Sequence, residues 1–361
     1  MLKYLDEYRD KDLAQNLVAQ INYASKKSIR IMEVCGGHTM AIRKYGIQNL
    51  LPPTIKLLSG PGCPVCVTSR SFIDKAIAYS AMPDIIITTY GDLMRVPGTS
   101  SSLLKEKARG ADVRIVVSTL DAVKIAKENP EKTVIFLGIG FETTTPPTAI
   151  AVLEASKIKL KNFLILSAHK LMPPAMAALI DEGTLIDAYI GPGHVSTIAG
   201  SKIYKPLVNQ YDISVVISGF EPVDILQSIW MLVKQIESGI PSVEIQYSRA
   251  VSQEGNLKAQ NLVNDVFEPC TAFWRGLGAI PKSGLKLKPE YNSFEAESLL
   301  PLEIAEKPEP KGCLCGQILK GQKIPTDCKL FGKTCTPEKP VGACMVSDEG
   351  TCAAYFKYND Y

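Results

Sequence analysis

Eight short runs of β-branched and aliphatic residues, at 28–34, 55–59, 84–89, 112–118, 133–137, 163–167, 188–190 and 213–218, recur along the first two thirds of the chain. Amphipathic segments of helical length, such as 69–81, 100–109 and 120–129, lie between them. Continuous apolar strands alternating with helices are what a parallel sheet covered on both faces requires. An alternating sheet with one wet face is thereby excluded. The runs divide into two groups of four, with a break near 129–132. Each group opens alike, on a strand followed by a glycine-containing turn (EVCGGHT and LGIGFETT). The fold class expected is α/β: two similar doubly wound parallel-sheet domains related by duplication, followed by a small cysteine-rich domain.

In open parallel sheets, ligands bind beyond the carboxyl ends of the strands. In the first group those ends carry Cys35 and His38, then Cys63 and Cys66, then Tyr90, Gly91 and Asp92. In the second they carry Phe141, Glu142, Thr143 and Thr144, then His169, then Gly193 and His194, then Gly219, Phe220 and Glu221. All three histidines of the chain therefore fall on the expected functional edge, which points to a cleft between the halves.

Cys35 and His38 sit in CGGH, where two glycines let the backbone approach a ligand closely. Thiolate and imidazole suit iron or zinc, although two ligands leave a site open for donors from a partner. A buried thiol in a tight strand–helix turn fits the same residues. Cys63 and Cys66, in GPGCPVC, stand at disulfide reach, and such motifs lower the pKa of the first thiol. The segment that follows reads as a helix, whose amino-terminal dipole would favour a thiolate. Half of a four-cysteine zinc site is the rival reading. No phosphate loop is present, and LGIGFETT lacks the dinucleotide spacing.

The remaining signal is the distribution of cysteine. Of ten cysteines, six (Cys313, Cys315, Cys328, Cys335, Cys344 and Cys352) crowd the last 49 residues, after a proline- and charge-rich connector. A net charge of +3 gives no reason to expect nucleic acid. No stretch approaches the about 20 apolar residues of a membrane span, and the amino terminus is too charged for a signal peptide. A cytoplasmic protein keeps its thiols reduced, so clustered cysteines point to metal or catalysis before a disulfide framework. Four thiolates can hold a [4Fe–4S] cluster, whereas zinc modules favour close paired knuckles that this tail lacks. Two sulfurs are left over for a disulfide beside it. Cys270 reads as a small buried hydrophobe.

EVCGGHT, SGPGCPVC, GFETT, GPGHVS, GFEP and PVGACMVSDEGTCAAY, in this order and across the whole chain, resemble the HypD family of hydrogenase maturation factors. The resemblance implies a scaffold for the Fe(CN)2CO unit of [NiFe] hydrogenases rather than a conventional turnover enzyme. It would work in complex with the small chaperone HypC, accept cyanide from HypE and serve the hydrogenase large subunit indirectly. It implies domains at 1–25 (a helix packing with the carboxy-terminal module), 26–130, 131–250, and 251–361 (connector and cluster). By the same resemblance Cys35 binds the iron of the Fe(CN)2CO unit with His38 beside it, and Cys63 and Cys66 are a redox pair. Cys313, Cys328, Cys335 and Cys352 are implied as cluster ligands, Cys315 and Cys344 as a redox disulfide. The spacing also permits Cys344 in place of Cys352. Glu142, Thr143 and His194 are expected to orient or protonate cyanide-derived groups. Two other readings use the same residues: an iron–sulfur-dependent thiol–disulfide reductase with CPVC as its active site, and a zinc-stabilised docking module.

Overall fold

In a computed structural model, residues 6–305 and 307–358 are described. Eleven strands form three sheets among these residues. The first is parallel, ordered β2–β1–β7–β8–β9, from β1 (Ile29–Glu33), β2 (Ile55–Ser59), β7 (Ala188–Pro192), β8 (Ser214–Ser218) and β9 (Val243–Ile245). The second, also parallel, is ordered β4–β3–β5–β6, from β3 (Ile85–Thr89), β4 (Val113–Ile115), β5 (Thr133–Gly140) and β6 (Phe163–His169). An antiparallel hairpin, β10 (Phe267–Trp274) with β11 (Gly278–Leu287), is the third.

Burial explains the continuous apolar runs. Along β7 and β8, Ala188, Ile190 and Val216 face one core, while Tyr189, Val215 and Ile217 face another. In the second sheet Ile87, Ile135 and Leu164 face one side, and Ile86, Val134, Phe136 and Phe163 the other. Both sheets are thus covered on both faces, and alternate residues serve different cores.

The two sheets share one topology. In each, the first strand pairs with the second on one side and the third on the other. They are not, however, contiguous halves. The chain lays β1 and β2 in the first sheet, builds the whole second sheet, and then returns for β7–β9. The expected division at 130/131 falls inside the second sheet, where β3 pairs with β5 in register Ile85↔Thr133. What EVCGGHT and LGIGFETT do share is position. Each follows an interior strand, β1 or β5, flanking the point where its sheet reverses direction. Such a reversal leaves a crevice at the strand ends.

Two further expectations are corrected. The amino-terminal helix Lys11–Ala24, capped by the Asp10 side chain, does not pack with the cysteine-rich module. It buries Leu17 and Ile21 against Ile225, Ile229 and Leu232 of the helix Pro222–Ser238. Instead the helix Thr351–Tyr358 reaches the first sheet through the helix Gly36–Lys44, with the Arg43 guanidinium 3.6 Å over the Tyr355 ring. Nor is 251–361 one unit. Val266, Phe267, Leu285, Leu287 and Phe294 pack with Phe136, Val152 and Phe163, so the hairpin belongs to the second α/β body. The cysteine-rich module begins near Cys313. Residues 1–5 and 359–361 of the two terminal domains expected from the sequence lie outside the described residues. No helix among the described residues is long and apolar enough to cross a membrane.

Candidate functional site

The carboxyl end of β1 carries a carboxylate and then a thiol. Glu33 is buried at the last position of the strand, and its Oε2 accepts from the Cys35 backbone N–H at 3.3 Å. Its Oε1 accepts from the Thr39 hydroxyl. Burial pushes Glu33 up to about 8. Cys35 caps the helix Gly36–Lys44 without a well-formed side-chain capping bond, and its sulfur faces the Gly37 and His38 N–H groups, which favour the thiolate weakly. Burial pushes its thiol up to about 12, helped by the nearby carboxylates of Glu349 and Glu33. A thiol so placed ionises when a cation arrives to offset the charge.

The CPVC turn is fastened to this strand end. Gly60 donates to the Glu33 carbonyl at 2.8 Å, and Gly36 donates to the Gly62 carbonyl at 3.2 Å. A Cβ on Gly62 would lie 2.3 Å from the Cys35 nitrogen and 2.5 Å from its Cα. Backbone cannot yield there as a flexible side chain would. Gly62→Ala is therefore expected to push the turn away from Cys35 and to destabilise the fold by about 1–3 kcal/mol, the usual cost of overpacking, in thermal unfolding. Cys63 and Cys66 are joined as a disulfide, Cα–Cα 5.2 Å, and both are buried. The helix expected after them is interrupted: a single turn, Pro64–Val67, ends at Thr68, and Ser69 caps a separate helix, Arg70–Ser80. Cys63 thus has one helical turn behind it, not a long dipole.

His38 lies in the first turn after Cys35 and is fully buried. Its Nε2 is 3.0 Å from the Gly219 carbonyl and 3.2 Å from that of Ser218, so this nitrogen carries the proton. Nδ1 is buried without a hydrogen-bond partner and keeps its lone pair. Burial pulls the imidazole down to about 4, which leaves it neutral at pH 7. The rings of His38 and His194 both stack on Phe220, at 4.7 and 4.0 Å between centroids. Cys35, His38, Cys63, Cys66, His194 and Phe220 are therefore brought together at the crevice of the first sheet.

Glu142 follows β5 of the second sheet. Its Oε1 accepts from the Met172 N–H at 2.9 Å, and Oε2 is buried with no partner. Burial pushes it up to about 7. It forms part of the wall of a mostly apolar cavity of about 260 Å³ with Ile198, Ile203 and Gln260. Thr143 is partly exposed in the same turn. Tyr204, fully buried, is held up by burial and by the charges of both Glu142 and Cys35, which places it in the interior that both groups border. His169 departs from the pattern of the other two histidines. Its Nε2 meets the Thr148 hydroxyl at 3.3 Å and Nδ1 the Ser167 hydroxyl at 3.2 Å, which makes it a satisfied core histidine. Cys270 is half-buried on β10 rather than fully enclosed.

In the tail, Cys313, Cys315, Cys328, Cys335 and Cys352 surround one small cavity walled by Leu314, Ile318, Leu330, Phe331 and Met345. Cys344 does not line it but neighbours Cys315, which also neighbours Cys313 and Cys352. The Val341 N–H donates to the Cys335 sulfur at 3.3 Å. Among the described residues no group of three or more His, Cys, Asp or Glu side chains is placed to hold a metal ion. Sulfurs around an apolar cavity, with a backbone donor on one of them, are the kind of donor set an iron–sulfur cluster takes. The four cysteines expected as ligands, Cys313, Cys328, Cys335 and Cys352, all line this cavity, and so does Cys315, expected instead to pair with Cys344. The tail also meets the front pair, since the Cys66 sulfur lies 3.9 Å from the Ala343 carbonyl, next to Cys344.

Sequence reasoning missed Glu33, Tyr204, Asp224 and Glu349. Only Glu33 left a local signal, a carboxylate closing an otherwise buried strand (IRIME).

A family model described as HypD, the hydrogenase formation hypA family, matches residues 12–359. The hydrogenase maturation factor HypD2 of Bradyrhizobium diazoefficiens is 49% identical, over 100% of this chain and 98% of its own length. The maturation factor HypD of Azotobacter vinelandii is 48% identical, over 99% and 97%. A putative hydrogenase expression/formation protein of Methanocaldococcus jannaschii is 46% identical, over 97% and 98%.

Proposed function

The chain belongs to the HypD family of hydrogenase maturation factors, and from that footing we propose that it is the scaffold on which the Fe(CN)2CO unit is assembled. HypC is its partner at the iron, and HypE is the donor of cyanide. One observation supports this above all: the buried Cys35 thiol and His38 imidazole, in one helical turn, are fastened to a buried disulfide whose Cys66 sulfur lies against the Ala343 carbonyl of the cysteine-rich tail.

Iron is the cargo, and the Cys35 thiolate is its anchor, a soft donor for a soft and electron-rich metal. His38, neutral with a free Nδ1, stands beside it as a ligand or proton acceptor. Cyanide release from a thiocyanate takes up two electrons. With Cys63 and Cys66 reduced, R–S–CN and the two thiols give R–SH, cyanide, the Cys63–Cys66 disulfide and one proton. The Cys63–Cys66 pairing is the geometry such a product needs. Cys315 and Cys344, both free thiols, can return it to the dithiol by exchange. A [4Fe–4S] cluster held by Cys313, Cys328, Cys335 and Cys352 supplies single electrons when bound.

Glu142, near half-protonated at neutral pH, suits proton donation to a cyanide-derived group, with Thr143 and His194 orienting it. Glu142→Ala is expected to abolish hydrogenase maturation while iron stays bound, read by in vivo hydrogenase activity and iron content. Normal maturation would end that role.

The test is anaerobic purification with and without HypC, followed by absorption and infrared spectra. Iron–sulfur absorbance plus cyanide and carbonyl stretches in the complex is the expected result. Iron–sulfur absorbance without those stretches would overturn the scaffold, and a colourless zinc protein would remove the electron path as well.

A further inference from the structure

The walls of the Cys35–His38 corner differ in kind. On one side the backbone of Gly62 lies against that of Cys35. On another the tail presses on Gly36, where an added Cβ would stand 2.3 Å from the Glu349 carbonyl oxygen and 2.4 Å from its Cβ. A third wall is a side chain, Phe220. An added Cβ on Gly37 would lie 3.0 Å from the Phe220 Cδ1 and 3.8 Å from the Cys35 Sγ, so ring and sulfur border the same space beside that glycine. Backbone walls give way only with the turns that carry them. A phenyl ring moves by rotation about its own χ1 and χ2.

Stacking is what holds this ring. Its plane lies 20° from that of His38, with centroids 4.7 Å apart, and 22° from that of His194, at 4.0 Å. Tyr247 meets it edge-on at 5.9 Å. His38 is fully buried, Phe220 partly exposed and His194 exposed, so the ring stands at the step from interior to surface. It also forms part of the wall of an open hollow of about 600 Å³, with Glu221, Tyr247, Arg249 and Ala250. An enclosed space of about 150 Å³ already accommodates a benzene ring. The ring therefore has room to turn outward.

We propose that Phe220 is the shutter of the Cys35–His38 site: stacked on the two histidines it closes the sulfur off from solvent, and it swings into the hollow to admit the metal. This rests on the reading of Cys35 as the anchor of iron. With the ring in place Cys35 is 8% exposed. An apolar cover of this kind keeps water from the coordination positions that incoming ligands must take. Aromatic stacks are a weak latch, which yields locally while the fold stays intact.

The experiment is alkylation of Cys35 by iodoacetamide in the full-length protein, purified anaerobically without added iron, with the modified peptide followed over time by mass spectrometry. Phe220→Ala is expected to raise the Cys35 rate at least about tenfold, whereas Phe220→Tyr, which keeps the ring, should stay within about twofold of the unsubstituted rate. His194→Ala removes one stack from an exposed position and should raise the rate about threefold. These rates should be nearly independent of urea well below the unfolding transition, since a swinging ring exposes little surface. An unchanged Cys35 rate in Phe220→Ala, or in His194→Ala where Phe220→Ala does not fold, would overturn the inference. So would equal rates in Phe220→Tyr and Phe220→Ala, or rates that climb steeply from the first addition of urea. The readout is the thiol itself, so absence of iron from the unsubstituted scaffold–chaperone complex would end the iron reading and leave the shielding of Cys35 as measured.

Discussion

Cys35→Ala is expected to leave the fold standing and to remove at least 99% of the iron that co-purifies with the scaffold–chaperone complex under anaerobic conditions. The structure separates the two effects. Cys35 is the capping residue of the helix Gly36–Lys44, but its side chain makes no well-formed capping bond, only weak contacts with the Gly37 and His38 N–H groups, so alanine deletes little that the helix uses. The same sulfur is what the site offers as an anchor. Cys35→Ser sharpens the contrast. Serine is among the preferred capping residues, worth about 1 kcal/mol over alanine where its oxygen reaches the helix N–H groups. It should therefore match or exceed the unsubstituted protein in thermal stability while losing the iron, because a hydroxyl is a hard donor that stays protonated. Iron at unsubstituted levels in either variant would remove Cys35 from the role.

That separation was legible in the sequence because it is local. The boundaries of the parallel strands, CGGH after the first and CPVC after the second follow from patterning over a few residues. β2 was placed at Ile55–Ser59 as found, and β5 differs only in running on to Gly140, since the glycines of LGIG continue the strand. Which strands pair is not local. β1 takes β7 as a neighbour from more than 150 residues away, in register Ile31↔Ala188. No run of residues announces that choice, so the chain read as two consecutive halves. The hairpin of β10 and β11 escaped for another reason. Its first strand contains Pro269 and alternates half-buried and exposed positions between two buried ends, which reads as connector when buried parallel strands are the template.

The site divides in the same way. Residues whose chemistry is their own, such as Cys35, His38, Cys63, Cys66 and the tail cysteines, could be named from type and spacing. Residues that act by holding others could not. Glu33 matters because Thr39 and the Cys35 N–H meet it. His169 shows the converse error. It has the same placement at a strand end as His194, yet two hydroxyls satisfy it.

Asp224→Ala should produce the largest loss of stability, because this fully buried carboxylate holds the turn on which His38 depends. It accepts from Arg249 at 2.8 and 2.6 Å, from the Gln246 amide at 2.8 Å and from the Glu221 N–H at 3.2 Å. Gln246 in turn accepts from the Gly219 N–H at 3.0 Å. The carbonyls of Ser218 and Gly219, presented by that turn, fix the protonated Nε2 of His38 and so leave Nδ1 as the free lone pair. Removing one partner of a buried charged pair costs about 3–5 kcal/mol, because the other is left uncompensated. Arg249 retains some solvent, its side chain 19% exposed, and its guanidinium stays stacked 3.7 Å over the Tyr8 ring and 4.4 Å over that of Tyr247. A loss of about 3 kcal/mol in denaturant unfolding, at the lower end of that range, is therefore expected. Asp224→Asn keeps two hydrogen-bonding atoms and should lose less. The functional consequence follows from the hydrogen bonds rather than the charge. With the 218–221 turn released, His38 loses the carbonyls that set its tautomer, and iron affinity should fall in Asp224→Ala even at temperatures where the protein is folded. A change below 1 kcal/mol, with iron retained, would show that the His38 tautomer is held by something other than this turn.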